Sequence, residues 1–224
     1  MARILVLAPH PDDDIIGCGG SIANLTAQGH EVVILYLTSG ESGSLEVDPA
    51  QLARTREEEA RRAGQLLGVR EFLFWRQPDG FLTESADIIN QLVRLIRARQ
   101  FSTVYLPHQQ EANRDHATAC RIGLEACQRA SGPWFKDCGL TPWSVDNILG
   151  YEVWTPLQQV TYVEDISDMM EIKIQALQQH HSQVSVLAYD KAVQGLNQYR
   201  GITSGLGAYG EAFVIYKAGE VVIR

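Results

Sequence analysis

Residues 4–14 read Ile-Leu-Val-Leu-Ala-Pro-His-Pro-Asp-Asp-Asp, and this stretch sets how the rest of the chain is parsed. Five apolar residues in a row suit a short strand buried on both faces. Two prolines then stop the strand and stiffen a turn around His10, so that polar groups gather at the strand's C-terminal end. Working outward, residues 15–28 carry helical spacing and close on Gly29, and Glu31–Thr38 (EVVILYLT) is again β-branched and apolar. A polar Gly/Ser loop at 39–47 leads to a charged amphipathic helix at 51–67, stopped by Gly68. Residues 71–75 read as a strand, 87–99 as a helix, 102–106 as a strand and 115–129 as a helix. Strands alternating with helices of this length predict an α/β, Rossmann-like fold: a mostly parallel sheet with helices on both faces. Ligands of such sheets bind beyond the C-terminal ends of the strands, which directs attention to the loops starting at Pro9, Ser39, Gln77 and Pro107.

The alternation breaks at residues 131–147, SGPWFKDCGLTPWSVDN, too apolar for a linker and expected to fold over the domain as an excursion that buries Trp134 and Trp143. Beyond it a strand is predicted at 148–154, helices at 169–181 and 184–198, and a late strand at 212–216. With 224 residues and no internal repeat, the chain reads as a single domain spanning 1–224. A net charge of −8 offers no basic footprint for nucleic acid. No apolar run approaches the roughly 20 residues of a membrane span, and the N-terminus lacks the long apolar core of a signal peptide. Four separated cysteines read as reduced thiols, so a cytoplasmic protein is expected.

Three consecutive carboxylates at a strand end are costly, because each raises the others' pKa. A divalent cation would relieve that cost; capping of the next helix is the alternative, and it accounts for one or two aspartates but not for His10. The loop after the fourth strand, residues 107–116 (PHQQEANRDH), ends in Asp115-His116 at the start of a helix. A histidine there is ordinarily a solvated or capping residue, but both loops leave the same edge of the sheet. Together His10, Asp13 and His116 make a three-ligand set with an open position, the pattern of a catalytic zinc site. The same donors also suit non-haem iron(II).

These residues resemble the PIG-L/LmbE-like zinc-dependent N-deacetylases. Ala8–Asp14 reads APHPDDD against the family's (A/P)-H-P-D-D-E, and Asp115-His116 matches its later D-H. Arg56, Glu59, Ala63, Leu67 and Gly68 resemble its Arg/Glu helix, TSGESG its second-strand loop, and Asp79-Gly80-Phe81-Leu82 its D-G-x-L turn. YEVWTP (151–156), His180-x-Ser182-Gln183 and YGEAF (209–213) follow in family order, so the likeness covers most of the chain.

The resemblance implies zinc on His10, Asp13 and His116, with iron also open, and a zinc-bound water activated by Asp12 as general base. The implied reaction removes acetyl from an N-acetylglucosamine-type sugar conjugate; a zinc amidohydrolase acting on a non-sugar N-acyl group is the alternative. Two departures stand out. The usual Glu is Asp14, and a position that is histidine in many relatives is Asn113, which donates a hydrogen bond but no proton at neutral pH. Protonation of the leaving amine then falls to Asp12, His108 or His180. Arg56, Glu41, Asp79, Asn113, His108 and His180 are the expected substrate contacts, while Asp14 and Asp115 are expected to support the metal loop. A homo-oligomer is a further expectation from the family. The rival reading of Gly17-Cys18-Gly19-Gly20 as a dinucleotide fingerprint fails because Ile22 stands where its third glycine belongs and the aspartates would repel a pyrophosphate.

Overall fold

The computed structural model describes residues 1–139 and 141–219. Its sheet has seven strands in the order β3-β2-β1-β4-β5-β7-β6. The strands are β1 (Arg3–Ala8), β2 (Glu31–Thr38), β3 (Glu71–Gln77), β4 (Thr103–Pro107), β5 (Asn147–Tyr151), β6 (Tyr162–Asp165) and β7 (Gly210–Lys217). β1 to β5 pair in parallel and β7 runs antiparallel between β5 and β6. The helices are α1 (Asp13–Ala27), α2 (Pro49–Leu66), α3 (Ala86–Arg99), α4 (Arg114–Ser131), α5 (Met170–Leu177), α6 (His181–Val184) and α7 (Tyr189–Ser204).

The period of two along the central strands sorts side chains into two cores. Ile4, Val6, Ala8, Ile34 and Tyr36 pack with residues of α1, α2 and α5, including Ile15, Ala63 and Leu177. Leu5, Leu7, Val33 and Leu35 pack on the other face against Leu92, Ile96 and Ile122 of α3 and α4. Both faces are therefore covered, which explains why these strands read as unbroken apolar runs. The chain reverses its direction of sheet growth between β1 and β4, leaving a crevice where the loops after both strands meet.

The expected fold holds, with five local differences. The helix expected at 169–181 ends at Leu177, and a short helix restarts at His181. The helix expected at 184–198 spans Tyr189–Ser204 instead. The strand expected at 148–154 stops at Tyr151, and β6, unforeseen, lies on the edge of the sheet. In the excursion, buried Arg97 gathers the segment by donating to the carbonyls of Ala130, Gly132, Trp134 and Gly139. Trp143 anchors through Nε1 on the Phe101 carbonyl at 2.7 Å, but Trp134 is 72% exposed, contrary to the burial expected of it.

Candidate metal centre

The loop after β1 is fixed before any ligand arrives. The Pro9 carbonyl accepts from both the amide and the hydroxyl of Thr38 on β2, at 2.9 and 3.0 Å. Asp12 then takes φ 123°, ψ −27°, a conformation rare for any residue but glycine and worth about 1–3 kcal/mol of strain. Arg56, reaching from α2, holds it there: Nη2 donates to the Pro11 carbonyl at 2.7 Å and to Asp12 Oδ2 at 3.2 Å, and Nη1 to the Gly40 carbonyl at 3.0 Å. The turn starts α1 immediately, so that Asp13 and Asp14 stand buried in its first turn.

His116 enters from the first turn of α4, whose N-cap is Asn113. Three donor atoms converge. Asp13 Oδ2 lies 3.0 Å from His10 Nδ1 and 3.2 Å from His116 Nε2, and those two nitrogens are 3.2 Å apart. Tetrahedral bonds of roughly 2.0–2.1 Å would put ligand atoms about 3.3 Å apart, so the triangle is nearly the right size for zinc. The residues fit a metal.

The back of His10 explains its orientation. Its Nε2 lies 3.0 Å from Asp79 Oδ1 and 3.4 Å from Asp115 Oδ2. Two carboxylates on that side select the tautomer with the proton on Nε2, freeing the Nδ1 lone pair for the triangle. Both acceptors are themselves held: Asp79 takes the Ser42 amide at 2.8 Å, and Asp115 takes the amides of Gly80 and Leu82 at 2.7 and 3.2 Å. Asp115 thus lies behind the His10 imidazole. Asp79, expected on substrate, lies there too.

The electrostatics separate the three aspartates. Burial pushes the Asp12 carboxyl up to about 7, with Asp13 adding to the rise and Arg56, His10 and His116 opposing it. Asp13 is buried too, but His116 and His10 hold it well below the usual carboxylate range. Asp14 is pushed up to about 7 by burial, although it accepts a hydrogen bond from Tyr36 at 2.9 Å. For His10, the carboxylates of Asp115, Asp13 and Asp79 outweigh burial and raise its pKa.

The remaining expected contacts divide. Arg56 is buried and bonds the loop at the Gly40 and Pro11 carbonyls. His108 binds the Thr155 carbonyl through Nε2 at 2.7 Å and accepts the Gln110 amide on Nδ1 at 3.1 Å, so both nitrogens have partners in the protein. Glu41 accepts the Asp79 amide at 2.9 Å. Asn113 accepts the Asp115 amide through Oδ1 at 2.8 Å, which leaves its amide nitrogen free to donate. His180 is fully buried, and neither ring nitrogen has a partner among the described residues. Burial, with the charge of Arg56 beside it, pushes its pKa down to about 3. Glu59, from the Arg/Glu helix, accepts the Ser182 amide and hydroxyl at 2.9 and 2.6 Å, so two distant motifs of the sequence meet.

Glu111 was not singled out in the sequence. It is buried between the two histidines of its own loop, 3.4 Å from His108 Nε2 and 3.8 Å from His116 Nδ1. Its carboxylate also accepts the amides of Val153, Trp154 and Thr155 at 2.7 to 3.2 Å, which is why β5 stops at Tyr151. Its spacing, three residues after His108 and five before His116, was the only signal available.

Comparison with known proteins gives the chain's family. Diacetylchitobiose deacetylase of Thermococcus kodakarensis is 35% identical over 190 residues, covering 81% of this chain and 70% of that one. The structure of N,N'-diacetylchitobiose deacetylase from Pyrococcus horikoshii superposes with a TM-score of 0.87 at 28% identity, over 99% of this chain and 88% of that one. The 4-carboxy-2-hydroxymuconate hydratase GalB of Pseudomonas putida KT2440 also gives 0.87, at 23% identity and over 100% and 99% of the two chains, and this likeness is one of fold alone. Residues 5–127, including all three donors of the triangle, match the PIG-L family, described as GlcNAc-PI de-N-acetylase, and the chain belongs to that family.

Proposed function

We propose that the protein is a metal-dependent N-deacetylase acting on an N-acetylglucosamine-type sugar. The observation that carries this reading is the triangle of His10 Nδ1, Asp13 Oδ2 and His116 Nε2, with edges of 3.0 to 3.2 Å. The relatives act on diacetylchitobiose by name, and the hydratase neighbour is a reminder that the fold by itself does not choose a reaction. Zinc on these three atoms supplies a Lewis acid that polarises the acetyl carbonyl and acidifies water.

The protein's own groups do the rest. Asp12, a buried carboxyl next in sequence to the ligand Asp13, is the group assigned to take up and return the proton. It takes one proton from water as the C–O bond forms and delivers it to the sugar nitrogen as the C–N bond breaks, giving an amine and acetic acid, which loses its proton to solvent. Arg56 keeps that carboxylate in place by bonding both its side chain and the preceding carbonyl. Asp79 and Asp115 hold the His10 tautomer. With its Oδ1 taken by the Asp115 amide, Asn113 would donate to the developing oxyanion through its amide nitrogen, an effect often worth roughly 3–4 kcal/mol.

Elemental metal content of the wild type beside His116→Ala tests the site. About one zinc or iron per chain, lost in the variant, supports it; a metal-free wild type that refuses added zinc overturns it. Amine release from N-acetylglucosamine and N,N′-diacetylchitobiose, against a simple aliphatic N-acetyl amine, then separates a sugar deacetylase from an amidohydrolase of wider range.

A further inference from the structure

Helix α1 is broken. Cys18 has φ −146° and ψ 25°, so Asp13–Gly17 form one separate turn and the regular helix resumes after it. In an unbroken helix the Gly20 amide would donate to the Ile16 carbonyl. Here the Gly20 amide donates to Glu211 Oε1 at 2.8 Å, and the Ile16 carbonyl accepts from Lys173 Nζ at 2.9 Å. Glu211 Oε2 also takes the amide and hydroxyl of Ser21, at 2.8 and 2.6 Å. Lys173 and Glu211 bond each other at 2.6 Å, Asn197 accepts from the same ammonium at 2.8 Å, and both charged side chains are fully buried.

The arrangement follows the polarity of helix ends. Cys18 occupies the N-cap position of the second segment, and a thiol is a poor acceptor for the amides that follow. Glu211, reaching across from β7, supplies the missing carboxylate at the positive end. Lys173, from α5, supplies the cation at the negative end of the first turn. A single turn has no helical cooperativity to keep its own shape, and this one begins at the strained Asp12. Gly17, Gly19 and Gly20 let the break sit tightly: a Cβ on Gly20 would lie 2.6 Å from Ile166, and one on Gly19 3.2 Å from the Lys173 stem.

We propose that Lys173 and Glu211 are positioning residues of the candidate metal centre, clamping the break at Cys18 so that the Asp12–Asp13 turn is held from behind as Arg56 holds it from in front. A buried ion pair is weak evidence of a device for stability alone, since apolar replacements are often as stable. This pair bonds the backbone on both sides of the break, which is the geometry of orientation. The functional consequence rests on the metal reading above; the mechanical one does not.

The test compares Lys173→Met/Glu211→Gln, which removes both charges and so leaves neither buried alone, with Val93→Ala, a cavity in the opposite core. Amide exchange is followed on the metal-free proteins, and zinc affinity by competition with a chelator. In the double variant the amides of residues 12–21 exchange at least about tenfold faster while those of β2 and β4 do not change, and zinc binds roughly 10–100-fold more weakly, the range for lost support of a ligand. Val93→Ala produces neither effect. Unaltered exchange at 12–21, or equal changes in both variants, overturns the clamp. Faster exchange with wild-type zinc affinity overturns its link to the metal. A wild type that takes up no zinc sinks the metal reading, and the exchange comparison still decides the clamp. Should the double variant not fold, Ser21→Ala, which removes one bond of Glu211 to the second segment and keeps the ion pair, is held to the same outcomes with a smaller shift.

Discussion

Arg56 Nη2 lies 3.2 Å from Asp12 Oδ2 and 2.7 Å from the Pro11 carbonyl, so one guanidinium fixes both the side chain of the proposed base and the backbone leading into it. The sequence suggested a hand for the substrate; the bonds of Arg56 point to a support for the loop. Arg56→Lys distinguishes them. An ammonium cannot span Gly40, Pro11 and Asp12 as the planar fork does. The expected outcome is a kcat lowered by roughly tenfold or more with KM little changed, whereas a residue gripping the sugar would raise KM instead.

Asp12→Asn removes the base without removing the turn. Asparagine tolerates positive φ better than most residues, so the strained conformation survives. Metal content should match the wild type, and kcat should fall by roughly 10²–10⁴-fold, the usual contribution of general acid–base catalysis. Retained activity would hand the proton transfers to another group.

Glu111→Ala leaves the buried amide of Val153 and the part-buried amides of Trp154 and Thr155 without their acceptor. A cost on the order of 2–4 kcal/mol in urea unfolding is expected, because each stranded donor carries its own desolvation penalty. His116 also loses the carboxylate 3.8 Å behind its Nδ1, so zinc affinity should weaken. A fully stable variant with unchanged affinity would contradict both roles.

Gly17→Ala drives a Cβ into the ring of Tyr151 at Cδ2. Tyr151 cannot swing away, being fully buried with its hydroxyl on the Leu7 carbonyl at 2.8 Å. Overpacking of this kind costs about 1–3 kcal/mol or more, read as a lower denaturation midpoint.

His180 sets a pH dependence of stability. Its pKa is near 3 in the fold and near 6.5 when unfolded, so between those values the unfolded chain binds more protons. Stability is therefore whole above about pH 6.5 and falls on acidification toward pH 3. His180→Leu should lose this component, flattening the slope of unfolding free energy by up to about 1.4 kcal/mol per pH unit, one proton's worth. Identical slopes in the two proteins would count against a neutral buried imidazole.

The central fold was legible because buried parallel strands are unbroken apolar runs, as in Leu5–Leu7 and Val33–Leu35, and because amphipathic helices of ordinary length lie between them. The C-terminal part was less so. The helix expected through 169–181 is cut after Leu177 because Ser182 is drawn to Glu59, a contact between residues 123 apart in sequence. Edge strand β6 is only four residues, Tyr-Val-Glu-Asp, too short for its alternation to register.

By itself the sequence determined the alternation of strands and helices, and hence the sheet edge on which the chemistry is gathered, because periodicity and the residues that stop each element are local properties. His10, Asp13 and His116 could be named from types and spacing, since both loops had to leave strands pointing the same way. Only the tertiary structure decided which groups support them. Asp79 turned to His10, Arg56 to Asp12, Glu111 to three distant amides, and Lys173 and Glu211 to a broken helix. Each of those partnerships joins elements far apart in the chain, and a buried charge takes its partner from whatever packing brings within about 3 Å.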